Sequence, residues 1–281
     1  MVNILVTGEK GFIGSYLRSY LNRNHNVISF PKRISFKNRL QLINSQSSDA
    51  VVHAAAKTSI NQSWNSPKDL IKSNLESTKC IIEYCIKNDA LLIFISSYLY
   101  GNAKNLPTSE KDEIKINNPY AHSKKLCEDL CRIYQKKNGL RLSIIRPFNI
   151  YGYFKDSDLL IMSIFRRIRK EKSIIVTDLK PKRDFLYIDD FCKMVELIIK
   201  KNITDQVFNA GSGINFSVNE IIEIIQKICS SDLKVKISSN NRKNEILETL
   251  ADISKAKELL DWQPEWSFED GIKQTFELSN K

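Results

Sequence analysis

Tyr120 and Lys124 stand four residues apart in the segment Tyr-Ala-His-Ser-Lys and carry the clearest candidate chemistry in the chain. On a helix, residues with this spacing lie on the same face. A free phenol, with a pKa of about 10, is a poor acid or base at neutral pH. A nearby ammonium favours the phenolate, so we expect Lys124 to lower the pKa of Tyr120 into a working range. The pair predicts a proton-transfer site, and we interpret His122 between them as a bystander that faces elsewhere.

Two serine hydroxyls follow an apolar segment that ends at Ile95. Residues 90–95 contain no polar side chain, which is typical of a strand buried on both faces of a parallel sheet. Ser96 and Ser97 come directly after this run, at the carboxyl end of the predicted strand. Ligands bind at that edge in open α/β sheets. A Tyr-x-x-x-Lys pattern alone is common by chance, so the position of the serines strengthens the interpretation.

A glycine cluster over residues 7–14, Thr-Gly-Glu-Lys-Gly-Phe-Ile-Gly, joins the first apolar strand to the first helical segment. Glycine permits a tight turn and close approach to a pyrophosphate, and the helix N-terminus supplies free N–H groups. A glycine-rich turn without a ligand is the alternative. The position after the first strand of an alternating β/α chain favours a dinucleotide. The expected contacts come from Gly8, Lys10, Gly11, Phe12, Ile13 and Gly14.

The choice of dinucleotide depends on the end of the second strand. Many dinucleotide-binding proteins carry an acidic residue there that binds the adenosine ribose. In this chain Phe30 is followed by Pro-Lys-Arg, so Lys32 and Arg33 stand where a carboxylate would be expected. Together with Lys10, these cations favour the 2′-phosphate of NADP(H), with NAD as the other possibility. A solvated basic loop would have the same composition.

Strands and helices alternate along the first half of the chain, as is needed to bring these residues together. This alternation predicts an α/β fold with a doubly wound parallel sheet of the Rossmann type. The elements become shorter after Pro147. We therefore predict a dinucleotide-binding domain over 1–152, with returning segments near 183–211, and a smaller substrate-binding region over 153–182 and 212–281. The predicted strands are 2–6, 26–30, 49–55, 90–95 and 140–146, and the predicted helices are 12–22, 37–45, 71–87 and 120–137.

Composition excludes several classes of protein. The chain has 281 residues, of which 42% are hydrophobic and 27% charged, as in ordinary globular proteins. Its apolar runs are too short to cross a bilayer and it begins without a secretory signal, so we expect a cytoplasmic protein with no membrane segment. Six cysteines without a C-x-x-C pair, and three histidines, predict neither a disulfide framework nor a metal site. The net charge of +11 favours anionic partners, but the scattered basic residues match no nucleic-acid-binding motif.

The ordered motifs resemble those of the extended short-chain dehydrogenase/reductases, also called NAD-dependent epimerase/dehydratases. The resemblance runs almost from end to end of the chain and rests on short segments in a fixed order. These segments are 7–14, 53–56, Asn74 with its neighbours to 78, 96–101, Tyr120 with Lys124, 146–152, 183–190, 209–211, 251–256 and 260–262.

The resemblance implies roles for the matching residues. Tyr120 would be the acid–base, and Lys124 would adjust its pKa and bind the nicotinamide ribose. Ser96, four residues before Tyr100, would be the third catalytic member, with Ser97 in reserve. Further cofactor contacts would come from Ala54, Ala55, Ala56 and Asn74, and substrate contacts from Ser97, Tyr98, Asn149, Arg183 and Arg242.

Two of these residues are arginines that match positions binding the diphosphate of a nucleotide sugar. Arg242 precedes Asp252 by the same interval as in sugar-nucleotide epimerases, with Glu245 where those enzymes carry an acid. Arg183 could instead pair with a neighbouring aspartate, and Arg242 could be a solvated loop residue.

The resemblance also limits the reaction. Dehydratases of the family carry an Asp-Glu pair where this chain has Ser97 and Tyr98, which disfavours dehydration. The segment from Gly8 to His53 is shorter than in the sugar-nucleotide epimerases and lacks their Gly-Asp, a layout closest to GDP-fucose synthase-like NADPH-dependent 4-keto reductases. We therefore expect an NAD(P)-dependent oxidoreductase that acts on a nucleotide-diphosphate sugar, by NADPH-dependent reduction of a 4-keto-6-deoxyhexose. The alternative enzyme is a nucleotide-sugar 4-epimerase with tightly bound NAD.

A redox-sensing or nucleic-acid-binding protein on the same scaffold would have no use for the proton-transfer residues. The resemblance further implies a homodimer that pairs through the helices predicted at 71–87 and 120–137.

Overall fold

A parallel sheet of six strands forms the centre of the computed structural model, which describes residues 1–28, 47–58, 60–155, 157–238 and 245–280. Its strands are β1 (Asn3–Thr7), β2 (Asn26–Ile28), β3 (Ala50–His53), β4 (Leu91–Ile95), β5 (Leu142–Pro147) and β9 (Gln206–Ala210). They lie in the order β2-β1-β3-β4-β5-β9. The order reverses between β1 and β3, so the crevice beside the end of β1 is the expected ligand site.

Neighbouring residues of the central strands face opposite layers of the core. In β1, Ile4 and Val6 belong to one buried cluster and Leu5 to the other. The same alternation separates Ile93 from Phe94 in β4. Because successive side chains of a strand point to opposite faces, a sheet with two apolar faces must be covered by helices on both sides.

Helices cover both faces of the sheet. Helices α1 (Phe12–Leu21) and α6 (Ile188–Lys200) pack together on one side. Helices α3 (Pro67–Asn88) and α4 (Pro119–Asn138) pack together on the other side, and the short helix α2 (Ile60–Asn65) contacts both.

Smaller elements complete the structure on the carboxyl side of the sheet. Strands β6 (Asn149–Tyr151), β8 (Lys182–Tyr187) and β10 (Asn215–Ser217) form a three-stranded sheet. Strands β7 (Ile174–Val176) and β11 (Val235–Ile237) form a pair. The remaining helices are α5 (Leu160–Arg169), α7 (Val218–Ile228), α8 (Ser254–Leu260) and α9 (Phe268–Ser279).

Asp184 in β8 ties together segments that are distant in sequence. Its buried carboxylate accepts backbone N–H bonds from Ser212 at 2.6 Å, Gly213 at 3.0 Å and Ala251 at 2.9 Å. It also accepts the Ser212 hydroxyl at 2.8 Å. Several donors on one buried carboxylate make this an anchor for the chain after β9.

The predicted fold class is confirmed. Each predicted strand is present, and within the described residues its ends differ from the prediction by at most two residues. The helix predicted from residue 71 begins earlier, at Pro67, because proline is favoured in the first helical turn. The returning segment contributes β9 to the central sheet, while the division into two regions stays a prediction. The predicted helix 37–45 and the end of the second strand lie outside the described residues.

Two further expectations concern the environment of the chain. The six cysteines all lie within the described residues and form no disulfide with one another. Among the described residues, no helix combines the length and apolar character needed to cross a membrane.

Candidate active site

The glycine loop packs against the end of β3. Gly8 has a φ of +78°, which side chains rarely adopt, and a Cβ there would lie 2.8 Å from the backbone nitrogen of Ala55. The Gly11 N–H donates to the Gly8 carbonyl at 2.8 Å, which closes the turn. The loop therefore depends on glycine for contact with its own chain as well as for access by a ligand.

The start of helix α1 fits an anionic group. Gly11 is the N-cap and offers no side-chain cap, so the first N–H groups of the helix have no side-chain acceptor at that position. A Cβ on Gly11 would meet only the Gly8 carbonyl, at 3.3 Å, and the surface beside it is open. These features fit the pyrophosphate of a dinucleotide. The predicted residues Gly8, Lys10, Gly11, Phe12, Ile13 and Gly14 lie in this turn and in the first turn of α1, and their contact with a dinucleotide stays a prediction.

The two charged residues of this loop have different surroundings. The Glu9 carboxylate turns back toward helix α1 and pairs with the Arg18 guanidinium at 3.6 Å. Lys10 is exposed. The loop therefore presents a positive charge to an approaching ligand.

His53 connects the ends of β1 and β3 to helix α3. Its Nδ1 lies 2.8 Å from the Thr7 hydroxyl, and its Nε2 lies 3.2 Å from the Thr78 hydroxyl. The Thr7 oxygen also accepts the Ala55 N–H at 3.1 Å, so its own proton is available to Nδ1. Burial lowers the pKa of His53 to about 3, with a smaller contribution from Lys124, so the imidazole is neutral. The predicted cofactor residues Ala54, Ala55 and Ala56 follow this buried connection and are partly exposed.

Asn74 holds the segment that follows the alanines. Its side-chain oxygen accepts the Lys57 N–H at 2.8 Å, and its amide donates to the Lys57 carbonyl at 3.3 Å. The same amide donates to the Ser123 hydroxyl at 3.0 Å. Asn74 is buried and joins the β3 loop to helix α4. We therefore assign it a positioning role toward the predicted cofactor site.

Helix α4 presents Tyr120 and Lys124 to the carboxyl edge of the sheet. The helix begins at Pro119, and the Asn118 side chain caps it by accepting the Ala121 N–H at 2.8 Å. Lys124 is buried, and its Nζ lies 4.4 Å from the centre of the Phe94 ring. His122 is exposed on another face of the helix.

The pKa of Tyr120 moves in the direction opposite to the one expected from the sequence. Burial raises it to about 12, although a hydrogen bond with Ser97 acts against this rise. The expectation that Lys124 lowers the pKa of Tyr120 is therefore wrong for this structure, because loss of hydration is the largest cause of the shift and only the Ser97 hydrogen bond opposes it. Burial also lowers the pKa of Lys124 to about 8, while Cys127 and Glu128 act in the other direction.

Ser97 is the serine that contacts Tyr120. It is partly exposed, whereas Ser96 is buried and its Oγ has no hydrogen-bond partner. The assignment of Ser96 as the catalytic hydroxyl stays a prediction, and the geometry brings Ser97 to the phenol.

Tyr98 belongs to an aromatic cluster beside the serines. Its ring packs edge-on against Phe148 at 4.9 Å and Tyr100 at 5.4 Å between centroids. Its hydroxyl donates to the Gly101 carbonyl at 2.8 Å, and burial raises its pKa to about 12. The Tyr98 side chain is therefore a neutral, partly exposed wall whose hydroxyl is already bonded to the backbone.

Two of the predicted substrate residues, Asn149 and Arg183, lie on the neighbouring strands β6 and β8. The Asn149 amide donates to the Asp184 carbonyl at 2.9 Å. Arg183 pairs with Glu245 at 3.6 Å, so its carboxylate partner differs from the neighbouring aspartates considered in the sequence analysis. Lys32, Arg33 and Arg242 lie outside the described residues.

Sequence reasoning gave no role to Thr7 or to Glu128. Thr7 is the hydroxyl that accepts from Ala55 and contacts His53. Glu128 is a buried acid one helical turn after Lys124. The spacing could have identified Glu128, because residues 120, 124 and 128 lie along one face of a helix.

Comparisons with known proteins concern the family and the fold of the chain. The sequence profile of the NAD dependent epimerase/dehydratase family matches residues 4–211. A UDP-glucuronate 4-epimerase from Thermodesulfobacterium geofontis is 33% identical over 83% of this chain and 72% of its own length. A GDP-6-deoxy-D-mannose reductase from Pseudomonas aeruginosa is 26% identical over 96% of this chain and 94% of its own. Among solved structures, RMD from Pseudomonas aeruginosa complexed with NADPH superposes with a TM-score of 0.92 at 24% identity, over 99% of this chain and 98% of that one.

Proposed function

Because the chain belongs to the NAD-dependent epimerase/dehydratase family, whose members act on nucleotide sugars with a nicotinamide dinucleotide, we propose that it reduces a nucleotide-linked 4-keto-6-deoxyhexose with NADPH. The observation that carries the proposal is the position of Tyr120, whose phenol hydrogen-bonds Ser97 at the carboxyl edge of the sheet, one helical turn from the buried Lys124. A phenol in this position can give a proton to a carbonyl oxygen. The exposed Lys10 in the glycine loop supports NADPH as the source of the hydride.

The chain's own residues account for binding of the dinucleotide. The glycine loop and the uncapped start of α1 would hold the pyrophosphate, and Lys10 would face the 2′-phosphate. Asn74 would fix the alanine segment that borders the nicotinamide side. When bound, NADPH supplies the hydride that adds to the carbonyl carbon of the sugar.

Tyr120 would give its proton to the carbonyl oxygen as that oxygen becomes an alkoxide. The phenolate left behind would be stabilised by the Lys124 ammonium one turn along the helix. Ser97 would orient the phenol, and Ser96, a buried donor without a partner, would complete the polar lining of this edge. Hydride and proton together convert the ketone to an alcohol.

Substrate binding would use the surface beyond Tyr98. Asn149 and Arg183 would contact the diphosphate, and Glu245 holds the guanidinium of Arg183. Because Arg183 is already paired, an incoming diphosphate would have to share it with this carboxylate or displace it.

A nucleotide-sugar 4-epimerase with tightly bound NAD is the second candidate function. It is supported by the 33% identity to the UDP-glucuronate 4-epimerase, which exceeds the 26% identity to the GDP-sugar reductase. The exposed Lys10 beside the start of α1 favours the reductase, because a cation there suits a 2′-phosphate that NAD lacks.

The deciding experiment has two parts on one preparation. Cofactor released from the purified protein is identified, and the protein is then assayed with UDP-, GDP-, CDP- and dTDP-linked 4-keto sugars while NADPH absorbance is followed. We expect little bound NAD and oxidation of NADPH by one class of keto sugar. Stoichiometric NAD, with epimerisation of a UDP-hexose and no keto-sugar reduction, would replace the proposal with the second candidate.

A further inference from the structure

Glu128 continues the catalytic stripe of helix α4. Tyr120, Lys124 and Glu128 follow one another at intervals of four residues, so they line one side of the helix. Lys124 is 3% exposed and Glu128 is 1% exposed. A carboxylate so completely removed from water needs a charged or multiply hydrogen-bonded partner.

Arg146 at the end of β5 is that partner. Its Nε donates to one oxygen of Glu128 at 3.0 Å, and its Nη2 donates to the other at 2.7 Å. The Glu128 contacts hold the guanidinium in its charged form, and the pKa of Arg146 is raised although its burial acts in the opposite direction. Because two bonds join the same pair of side chains, this contact fixes both the distance and the orientation of helix α4 relative to β5.

The Glu128–Arg146 pair, called the clamp below, is connected to the loop that leads into helix α4. The remaining Arg146 nitrogen donates to the Tyr100 hydroxyl at 3.0 Å, and Tyr100 donates to the Asn209 side chain at 2.7 Å. Asn209 in β9 in turn donates to the Thr108 carbonyl at 2.9 Å. Helix α4, two strands and the loop before the helix therefore share one buried network.

The surroundings of Lys124 give this network an electrostatic role. From β3 it faces His53, which is neutral, and from β4 it faces the Phe94 ring. From its own helix it faces Cys127, whose thiol burial keeps protonated, Cys131, whose pKa burial also raises, and Glu128. Glu128 thus supplies a negative charge beside an ammonium that has lost most of its water, and Arg146 is bonded to both oxygens of that carboxylate.

We propose that Glu128 is a positioning residue for Lys124: held by Arg146, it fixes helix α4 over the edge of the sheet and neutralises a guanidinium that would otherwise repel the ammonium. The structural part of this role depends only on the contacts given above. Its consequence for catalysis rests on the proposed function, in which Lys124 stabilises the phenolate of Tyr120.

Substitutions that remove a charge from the clamp should change the pKa of Lys124 in predictable directions. Glu128→Gln leaves the guanidinium without its carboxylate, so Lys124 loses its proton more easily. Arg146→Gln leaves the carboxylate alone, so Lys124 holds its proton more tightly. The double variant removes both charges and should return the pKa of Lys124 toward its wild-type value. Each single change alters the titration midpoint of Lys124 by roughly one pH unit for a charge at this range in a protein interior.

The test is an NMR titration of Lys124 in protein labelled with ¹³C at the lysine Cε, the resonance being assigned by its loss in Lys124→Arg. The wild-type midpoint is expected near 8. Glu128→Gln is expected to lower it, Arg146→Gln to raise it, and the double variant to return it toward the wild type. Asp129→Asn is the matched control, because Asp129 on the same helix pairs with Lys125 at the surface.

This measurement needs neither substrate nor dinucleotide, so it separates this proposal from the proposed function. Equal midpoints in wild type, Glu128→Gln and Arg146→Gln would overturn the proposal and leave the clamp with a purely structural role. An equal shift in Asp129→Asn would also overturn it, since any acid on the helix would then have the same effect. Should Glu128→Gln fail to fold, the rise expected for Arg146→Gln and the return toward the wild-type midpoint expected for the double variant still decide the outcome.

Discussion

The Nζ atom of Lys124 lies 4.4 Å from the centre of the Phe94 ring, at the sheet edge that also carries Ser96 and Ser97. An aromatic face attracts a cation but supplies far less stabilisation than water. Burial therefore favours the neutral amine over the ammonium, and the pKa of Lys124 falls to about 8. A residue on which the proposed chemistry depends thus titrates close to physiological pH.

Replacement of Lys124 by methionine is expected to stabilise the fold and abolish activity. The pKa of Lys124 is about 8 in the folded chain and has an ordinary value of 10.5, so the unfolded chain binds this proton more tightly. Burial of the ammonium therefore lowers the free energy of unfolding of the wild type. This penalty is complete below pH 8 and disappears as the pH rises from 8 to 10.5. Relief of this penalty amounts to about 3 kcal/mol in the free energy of unfolding at pH 7.

Urea unfolding at pH 7 and at pH 10.5 measures this effect. The advantage of Lys124→Met over the wild type should shrink at the higher pH. Lys136→Met, an exposed lysine on the same helix, is the control and should change little. A Lys124→Met protein that is less stable than the wild type at pH 7 would contradict the inferred charge burial.

Removal of the Tyr120 hydroxyl should eliminate proton donation and leave the binding sites intact. Tyr120→Phe is expected to lower kcat by about two to four powers of ten, the usual contribution of a positioned acid. Dinucleotide affinity, measured by fluorescence, and Tm should stay near wild-type values. Turnover that survives the substitution would show that another group delivers the proton.

The two adjacent serines should respond differently to alanine. Ser97 contacts Tyr120 and is partly exposed, whereas the Ser96 hydroxyl is buried without a partner. We expect Ser97→Ala to reduce kcat by at least tenfold and Ser96→Ala to reduce it less. Steady-state kinetics of both variants decide the order, and the reverse order would support the assignment of Ser96 made from the motif.

Lys10 should distinguish the two dinucleotides. Lys10→Ala is expected to weaken NADPH binding by roughly tenfold and NADH binding hardly at all, because only NADPH carries the 2′-phosphate. Lys87, exposed at the end of α3, provides a lysine control far from the loop. Equal loss of affinity for both dinucleotides would place Lys10 against the shared pyrophosphate.

A homodimer through helices α3 and α4 is also expected. These two helices pack on each other, and Ile133 of α4 is 52% exposed. Light scattering at micromolar concentration should give twice the chain mass, and Ile133→Glu should halve it. Ile175→Glu, at an exposed isoleucine of β7, is the control. A monomeric wild type would rule out this assembly.

The fold was predictable because its signals are local. An uninterrupted apolar run of a few residues before Ser96 predicts a buried strand, and β4 lies there. A short glycine cluster predicts a turn into a helix, and Gly11 is the N-cap of α1. The beginning of α3 at Pro67 was less evident, since the residues before Leu70 are a proline, a lysine and an aspartate and give no apolar signal.

The electrostatics of the site were not predictable from spacing. Tyr120 and Lys124 share a helix face as expected, but the sequence does not state how much water each loses on folding. The pKa of Tyr120 therefore moved in the unexpected direction. The partners of Glu128 and His53 lie on other elements, and contacts of that kind are set by the assembled sheet.

The donors gathered on Asp184 affect how this scaffold can be recombined. Ser212, Gly213 and Ala251 all belong to the stretch that follows β9, yet they depend on a carboxylate contributed from β8. A chimera joined just after β9, intended to import another relative's sugar preference, would inherit this acid from one parent and its donors from the other. Crossover points that keep both sides from a single parent are therefore the better starting point for exchanging specificity.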